Sequence, residues 1–511
     1  MTTDTRTPEI LREELPLQRF IGAGLSQAVV EGEVALPGGL REETTVLSAE
    51  AMAVLDRSLV ENSRVTADGR VTFHVLYTQG DPTKVSALEA SAEFTHPTEI
   101  AGALPGMTAP VSLMVEHVDA QAQGGRLHLM AIIRVHSRVF SDEPVSVVTG
   151  IRGMDGLMLR TETLRIPRIA AQGSQDKLIR EECELPSPLQ ITDTLYATAI
   201  ATVHDVMGGE GRASVSGQVD LEVTHTSLMP NRPVVLTRHS IPFEETVTLS
   251  GEMGEALSVS ASVRDVAVLS QEGMDGERTL RAEVLLGLTA QSTREKEVCL
   301  LLDAYTTEGD QLSLSVQQMQ RAAGYRQIRT AESGKLTLML DGQPPVRTPL
   351  RAVLTPVITD LTPQSGKLLA EGMMDVTLLY MTDDDPAPHT YRTEEPFRMV
   401  FACDPSLPES LILTPGSVDV SGVTSDRVEI KYILHLDASD VRLSPEVLVT
   451  QASTQPSSAI PGGVIVCFAR PGETLWDIAK KYRVSCDSLR RMNPDLTDRP
   501  TKVLIYQGQC P

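Results

Sequence analysis

The chain has 511 residues, 41% of them apolar and only 4% aromatic, with one Trp and a formal net charge of −23. This length supports several domains with buried cores, and the apolar share excludes a disordered chain. The charge argues against general nucleic-acid binding, which needs cations to replace counterions on phosphates, and against adhesion to anionic membranes. It is also unevenly spread: residues 463–511 carry a net +3, so a small basic segment hangs on a body of −26.

At the start of the chain, Asp4, Arg6, Glu9, Arg12, Glu13 and Glu14 interrupt any apolar export core, so no secretory signal is expected. No run approaches the ~18 apolar residues of a spanning helix. The expectation is a cytoplasmic protein. Its six cysteines are scattered without CxxC spacing, which predicts free thiols in a reducing compartment and no zinc site.

The body then repeats itself. "GRVTFHVLY" from Gly69, "GQVDLEVTH" from Gly217 and "GMMDVTLLY" from Gly372 share one signature, with glycines 148 and 155 residues apart. Period-two alternation places Val71, Phe73, Val75 and Tyr77 on one strand face. Val219, Leu221, Val223 and His225 follow the same pattern, as do Met374, Val376, Leu378 and Tyr380. Phe94, Phe243 and Phe397 follow the three glycines at 25, 26 and 25 residues. Later segments recur as "RLHLMAIIRV", "RTLRAEVLLGL" and "RVEIKYILHL". Entry segments ending at Pro37 and Pro186 match, with a weaker third copy through "QRAAGYRQIRTAESGKLTLML".

Units of this size are too long for a solenoid and predict three tandem all-β, sandwich-like domains. The expected boundaries are 12–160, 161–310 and 311–450. The Ser-, Thr-, Pro- and Gln-rich stretch 451–462 is expected as a flexible linker to a mobile terminal module at 463–508.

In that module "VIVCFA" predicts a strand, and Thr474 with Asp477 forms a capping box that opens a helix. Leu475, Ile478, Ala479 and Tyr482 make one buried stripe. Lys480 and Lys481 suit the helix C-terminus. Ser485 caps a second helix holding Leu489, Asn493-Pro494 stops it, and "KVLIY" closes the module. The order is βααβ. Trp476 flanks the stripe, either as a lid on a small core or as an exposed contact.

This order and the wording "PGETLWDIAKKY…L…MNP" resemble the LysM family, which binds N-acetylglucosamine polymers such as peptidoglycan. The resemblance implies a groove between two loops. These hold Gly472, Glu473, Thr474, Leu475 and the adjoining Trp476 on one side, and Met492, Asn493, Pro494, Asp495 and Leu496 on the other. The chain departs from the family at "DRPTK", where a Gly-containing turn is usual and Pro500 removes a backbone donor.

Three all-β repeats with "ELP"-type entry segments ahead of a LysM module resemble the SPOCS-domain proteins of endospore formers, of the SipL type. The resemblance implies a scaffold made in the mother cell and placed at the outer surface of the forespore. It implies a partner too, the stage IV sporulation protein A ATPase of the coat basement layer.

No catalytic signature stands out. The chain has no HExxH, GxSxG or GxxxxGK[ST]. "EHVD" at Glu116–Asp119 alternates faces in a strand and loses its His in the other repeats, so a structural surface role is expected. "DDD" at 383–385 is expected in a hairpin loop. The reading is a non-enzymatic scaffold of spore-envelope assembly without cofactor or metal. The alternatives are a peptidoglycan-binding wall protein and a wall hydrolase with paired carboxylates.

Overall fold

The computed structural model describes residues 8–36, 43–272, 278–402, 411–456, 463–494, 497–498 and 501–507. Among the described residues the fold is mainly β, with two short α-helices near the C-terminus. The first repeat holds β1 (Glu9–Leu15), β2 (Arg19–Ala35), β3 (Thr44–Glu61), β4 (Arg64–Gln79), β5 (Asp81–Glu99), β6 (Val111–Gln123), β7 (Arg126–Ser141) and β8 (Val145–Arg152). The second holds β9 (Leu157–Glu184), β10 (Ile191–Gly209), β11 (Arg212–Ser227), β12 (Val234–Thr248), β13 (Ser250–Gly251), β14 (Ala256–Glu272) and β15 (Arg278–Thr306). The third holds β16 (Gln311–Met339), β17 (Thr348–Gln364), β18 (Lys367–Met381), β19 (His389–Phe401), β20 (Leu411–Thr424) and β21 (Arg427–Gln455). The terminal module is β22 (Gly463–Phe468), α1 (Leu475–Tyr482), α2 (Cys486–Met492) and β23 (Lys502–Gln507).

Each repeat is a sandwich of two antiparallel three-stranded layers. One layer is β3-β4-β5, β10-β11-β12 or β17-β18-β19; the other is β2-β7-β6, β9-β15-β14 or β16-β21-β20. The Gly-headed signature is the middle strand of the first layer each time, and its alternating side chains face the core as the pattern predicts. In the first repeat Phe73 and Val75 meet Leu129, Ala131 and Ile133; in the third Val376 and Leu378 meet Ile430 and Leu434. The segment "LSAEAMAVLDRSLV" is one continuous strand, β3.

The repeated glycines have a steric cause. Gly69, Gly217 and Gly372 lie directly across from Phe94, Phe243 and Phe397. A Cβ at any of them would overlap the neighbouring carbonyl of Val54, Thr202 or Val357 and press on the phenyl ring. The ring lies over the bare glycine backbone, so the two motifs seen 25 or 26 residues apart are one cross-strand pair.

Bulges recur in register as well. The ladder skips Ile21, Ala170 and Ala323, each two residues after Arg19, Arg168 or Arg321. A bulge bends and twists its strand, and here each marks where the chain leaves the sandwich to enter a two-stranded ribbon. The ribbons are β1 with β8, the first half of β9 with the second half of β15, and the first part of β16 with the end of β21. They share a core of their own, with Leu15, Val147, Ile166, Leu300, Met319 and Leu448 packed together. β9 therefore runs through the expected boundary at 160/161. Gln451–Gln455 of the expected linker are strand, paired with Gln311–Ser315; residues 457–462 lie outside the described ones.

The sandwiches touch in a ring. β10 packs on β5, β17 on β12 and β3 on β19, so in the layers β3-β4-β5, β10-β11-β12 and β17-β18-β19 the first strand of each meets the last strand of another, around a shared hub. Where they converge, the ladder skips Leu47, Leu195 and Leu350, and these leucines enter one cluster with Leu76, Tyr196 and Leu379. The next residues, Ser48, Tyr196 and Arg351, occupy equivalent register positions opposite Leu76, Thr224 and Leu379. Arg351 pairs with Glu50 at 2.5 Å and reaches Glu222 at 3.6 Å, while the Tyr196 hydroxyl donates to Glu50 and accepts from Arg351. His74 stacks on Tyr196 with ring centroids 4.8 Å apart. Burial opposes charge on Glu50, yet Arg351 and Tyr196 hold its carboxyl below the usual range. Phe73 through Thr78 are consequently all buried, because neighbouring repeats cover the second face of β4.

"EHVD" belongs to this inter-repeat wiring. Glu116, bulged out of β6, is buried against Arg134 at 2.5 Å rather than lying on the surface, and His117 reaches Asp375 of the third repeat at 3.0 Å. Asp383–Asp385 lie in the β18–β19 connection, where Asp385 accepts from the Ala387 amide and Asp383 pairs with Arg347. Cys183, Cys299, Cys467 and Cys486 are free thiols; Cys403 and Cys510 lie outside the described residues.

Candidate functional site: the terminal module and its seat

The module forms as its sequence dictates. The turn before α1 places Gly472 at φ 86°, a left-handed conformation that costs glycine little. The Glu473 carboxylate accepts from the Arg470 amide at 2.8 Å. Thr474 and Asp477 complete the capping box: the Thr474 hydroxyl accepts from the Asp477 amide, and the Asp477 carboxylate accepts from the Thr474 amide. Hydrogen bonds from Thr474 hold the Asp477 carboxyl below its ordinary range. Leu475, Ile478 and Ala479 are buried, Tyr482 packs beside them, and Leu489, Cys467, Val503 and Ile505 complete the core. Ser485 caps α2 by accepting from the Ser488 amide.

The segment around the first expected loop adjoins the stretch just before β23, downstream of the second expected loop. The Leu475 amide donates to the Asp498 carbonyl at 2.9 Å, and the Ala469 amide to that of Thr501 at 3.0 Å. The side chains of the two expected loops are unequally available. Leu475 is core. Asn493 is spent on architecture: its amide nitrogen donates to the Leu489 and Leu504 carbonyls, and its oxygen accepts from the Leu504 amide. Gly472, Met492 and Pro494 are exposed, with Glu473 and Thr474 half-buried between them. Asp495, Leu496, Arg499 and Pro500 lie outside the described residues, so most of the unusual turn does too.

Trp476 goes elsewhere. Its indole packs edge-on against Tyr305 with centroids 5.0 Å apart, and its Nε1 donates to Asp303 Oδ2 at 2.8 Å. Lys480 Nζ donates to the other Asp303 oxygen at 2.5 Å. Arg483 donates to the Thr306 and Gly309 carbonyls, and the Tyr305 hydroxyl donates to the Val484 carbonyl at 2.8 Å. Tyr305 is 3% exposed, and burial pushes its phenol pKa up. The module is thus seated on the tip of the second ribbon, with Met158 beside it, where the sequence had suggested a mobile appendage.

Sequence reasoning missed Asp303 and Tyr305. A signal existed in the repeat alignment. The ladder skips Thr149, Leu302 and Thr450 at equivalent places, so Asp303 stands where the other ribbons have Gly150 and Gln451. By the same alignment Tyr305 stands where they have Arg152 and Ser453. The hub had a comparable signal in Leu-x-Ala at Leu47–Ala49, Leu195–Ala197 and Leu350–Ala352.

Comparison with known families agrees with these two parts. Residues 44–123, which run from β3 through β6, match the SipL, SPOCS domain. Residues 469–505 match the LysM domain and span the module from the end of β22 to β23. No curated protein and no solved structure matches the chain. The chain therefore combines a SPOCS domain with a C-terminal LysM domain in a mainly β fold. Those domains mark a sporulation-associated protein with a module of the peptidoglycan-binding kind. Among the described residues, no helix is long and apolar enough to cross a membrane.

Proposed function

We propose that the chain is a non-catalytic scaffold of spore-envelope assembly, made in the mother cell and recruited to the forespore surface through its LysM module. The observation that carries this reading is the union of a SPOCS domain and a LysM domain in one chain. The partner we propose is a coat basement-layer ATPase of the stage IV sporulation protein A type. The three repeats, divided at the connections between β8 and β9 and between β15 and β16, supply further surfaces, and weak contacts from several surfaces on one chain add through effective concentration. The proposed contact face of the module is the loop pair around Gly472, Glu473 and Thr474 on one side and Met492, Pro494, Asp495 and Leu496 on the other.

A fluorescent fusion in sporulating cells tests this. The full chain is expected as a shell around the forespore, and a chain lacking residues 463–511 is expected to stay diffuse in the mother cell. A truncated chain that still forms the shell would overturn the recruiting role of the module. The second reading, a peptidoglycan-binding wall protein, draws on the adjoining segments at Leu475 and Asp498. It predicts that purified sacculi pull down the chain and that the fusion labels the wall of vegetative cells. Sacculi incubated with the protein should keep their turbidity under either reading.

A further inference from the structure

We infer that the tip of the second ribbon is a receptor for the α1 face of the LysM module, so that the module is latched and keeps Trp476 and Lys480 from outside ligands while the latch is closed. This does not depend on what the module recruits. The geometry centres on one carboxylate: Asp303 accepts from the Trp476 indole with one oxygen and from Lys480 with the other. Arg483 and Tyr305 add donors in both directions across the same seam.

Three observations argue that the seat is selective. First, the three ribbons share a skipped residue at the same place, and only the second carries an Asp and a Tyr beyond it. An equivalent ribbon with Gly150 and Arg152, or with Gln451 and Ser453, has neither the carboxylate nor the ring that Trp476 meets. Second, the tether begins next to the seat. β21 ends at Gln455, opposite Gln311, and β16 starts at Gln311 just after the turn that follows Thr306. Only residues 456–462 separate β21 from the module. A short tether holds the module at an effective concentration in the millimolar range, so a modest interface suffices to keep it docked. Third, the charges fit, with a basic module meeting the acidic body through Asp303. Asp303 and Lys480 keep 23% and 41% of their side-chain surface, and ion pairs with that much water contact weaken with salt. The latch is therefore closed at low ionic strength and able to open.

The single Trp of the chain makes this directly readable. Trp476 fluorescence and its quenching by acrylamide would be measured in the full chain, in Asp303→Gln, and in Asp303→Gln/Tyr305→Ser. These substitutions install residues that the third ribbon already tolerates at the same positions. The expected result is a red-shifted emission and a quenching constant raised about threefold in the double variant, with the single variant between, as loss of a charge-assisted contact and of the ring covering the indole implies. Raising salt should move the wild-type chain toward the variants. Should the double variant misfold, Lys480→Gln tests the same contact from the exposed side of the module and should raise quenching to a smaller extent. Equal quenching of the wild-type chain and a folded variant, at low and high salt alike, would overturn the latch and leave the recruitment reading untouched.

Discussion

Gly372 shows how much one missing atom governs. Replacing it with Ala would set a Cβ against the Val357 carbonyl and the Phe397 ring, and overpacking of this kind costs about 1–3 kcal/mol. The urea midpoint of Gly372→Ala should fall accordingly, with secondary structure retained. Histidine sets the acid limit. His225 stands where the other repeats have Tyr77 and Tyr380, is fully buried, and bonds to Thr194 and Thr237. Burial, helped by His239, lowers its pKa from 6.5 to about 4; burial with Arg138 and Arg134 does the same to His136. The folded state therefore binds fewer protons than the unfolded state between these values. Stability is complete above about pH 6.5 and is lost as pH falls toward 4, by as much as a few kcal/mol per histidine. The difference in urea midpoint between pH 7 and pH 5 should shrink in His225→Gln, which keeps a donor and an acceptor for the two threonines.

At the scale of elements, the hub decides whether the repeats behave as one body. Arg351 is buried between carboxylates of two other repeats. Removing one partner of a buried pair leaves uncompensated charge and costs about 3–5 kcal/mol, whereas replacing both with apolar or neutral groups is often close to neutral. Arg351→Met should therefore lower the denaturation midpoint sharply, and Glu50→Gln/Arg351→Met should recover much of the loss. Equal midpoints for the single and double variants would show that the pair does not couple the repeats. The strand signature, its buried face and the Gly–Phe spacing were all legible in the sequence, because period-two alternation and a repeated steric need leave marks in one segment at a time. Of the hub only the repeated Leu-x-Ala was legible, and its charged triad was not, because Glu50, Tyr196 and Arg351 come from three repeats and share no residue type.

For the molecule as a whole, three sandwiches close into a ring, three ribbons share a second core, and the LysM module sits on one ribbon tip. Among the described residues, none of the three sandwich cores contains a residue of the module. Deleting residues 463–511 should therefore leave the body folded while uncovering Tyr305. Hydrogen exchange should rise at Tyr305 and Thr306 and stay unchanged along β4, β11 and β18, the pattern of a local rather than a global loss of protection.

By itself the sequence determined the local rules: the middle strand of each repeat, the glycine beneath each phenylalanine, the capping box at Thr474 and the stripe through Leu475 and Ile478. Each of these is set by neighbours a few residues away or by a pattern stated three times over. Only the tertiary structure decided that Glu116 is a buried ion-pair partner, that Asn493 is consumed in bracing β23, and that Trp476 faces Asp303. These outcomes depend on which distant surfaces meet, and a charge 173 residues from its indole partner leaves no periodic trace along the chain.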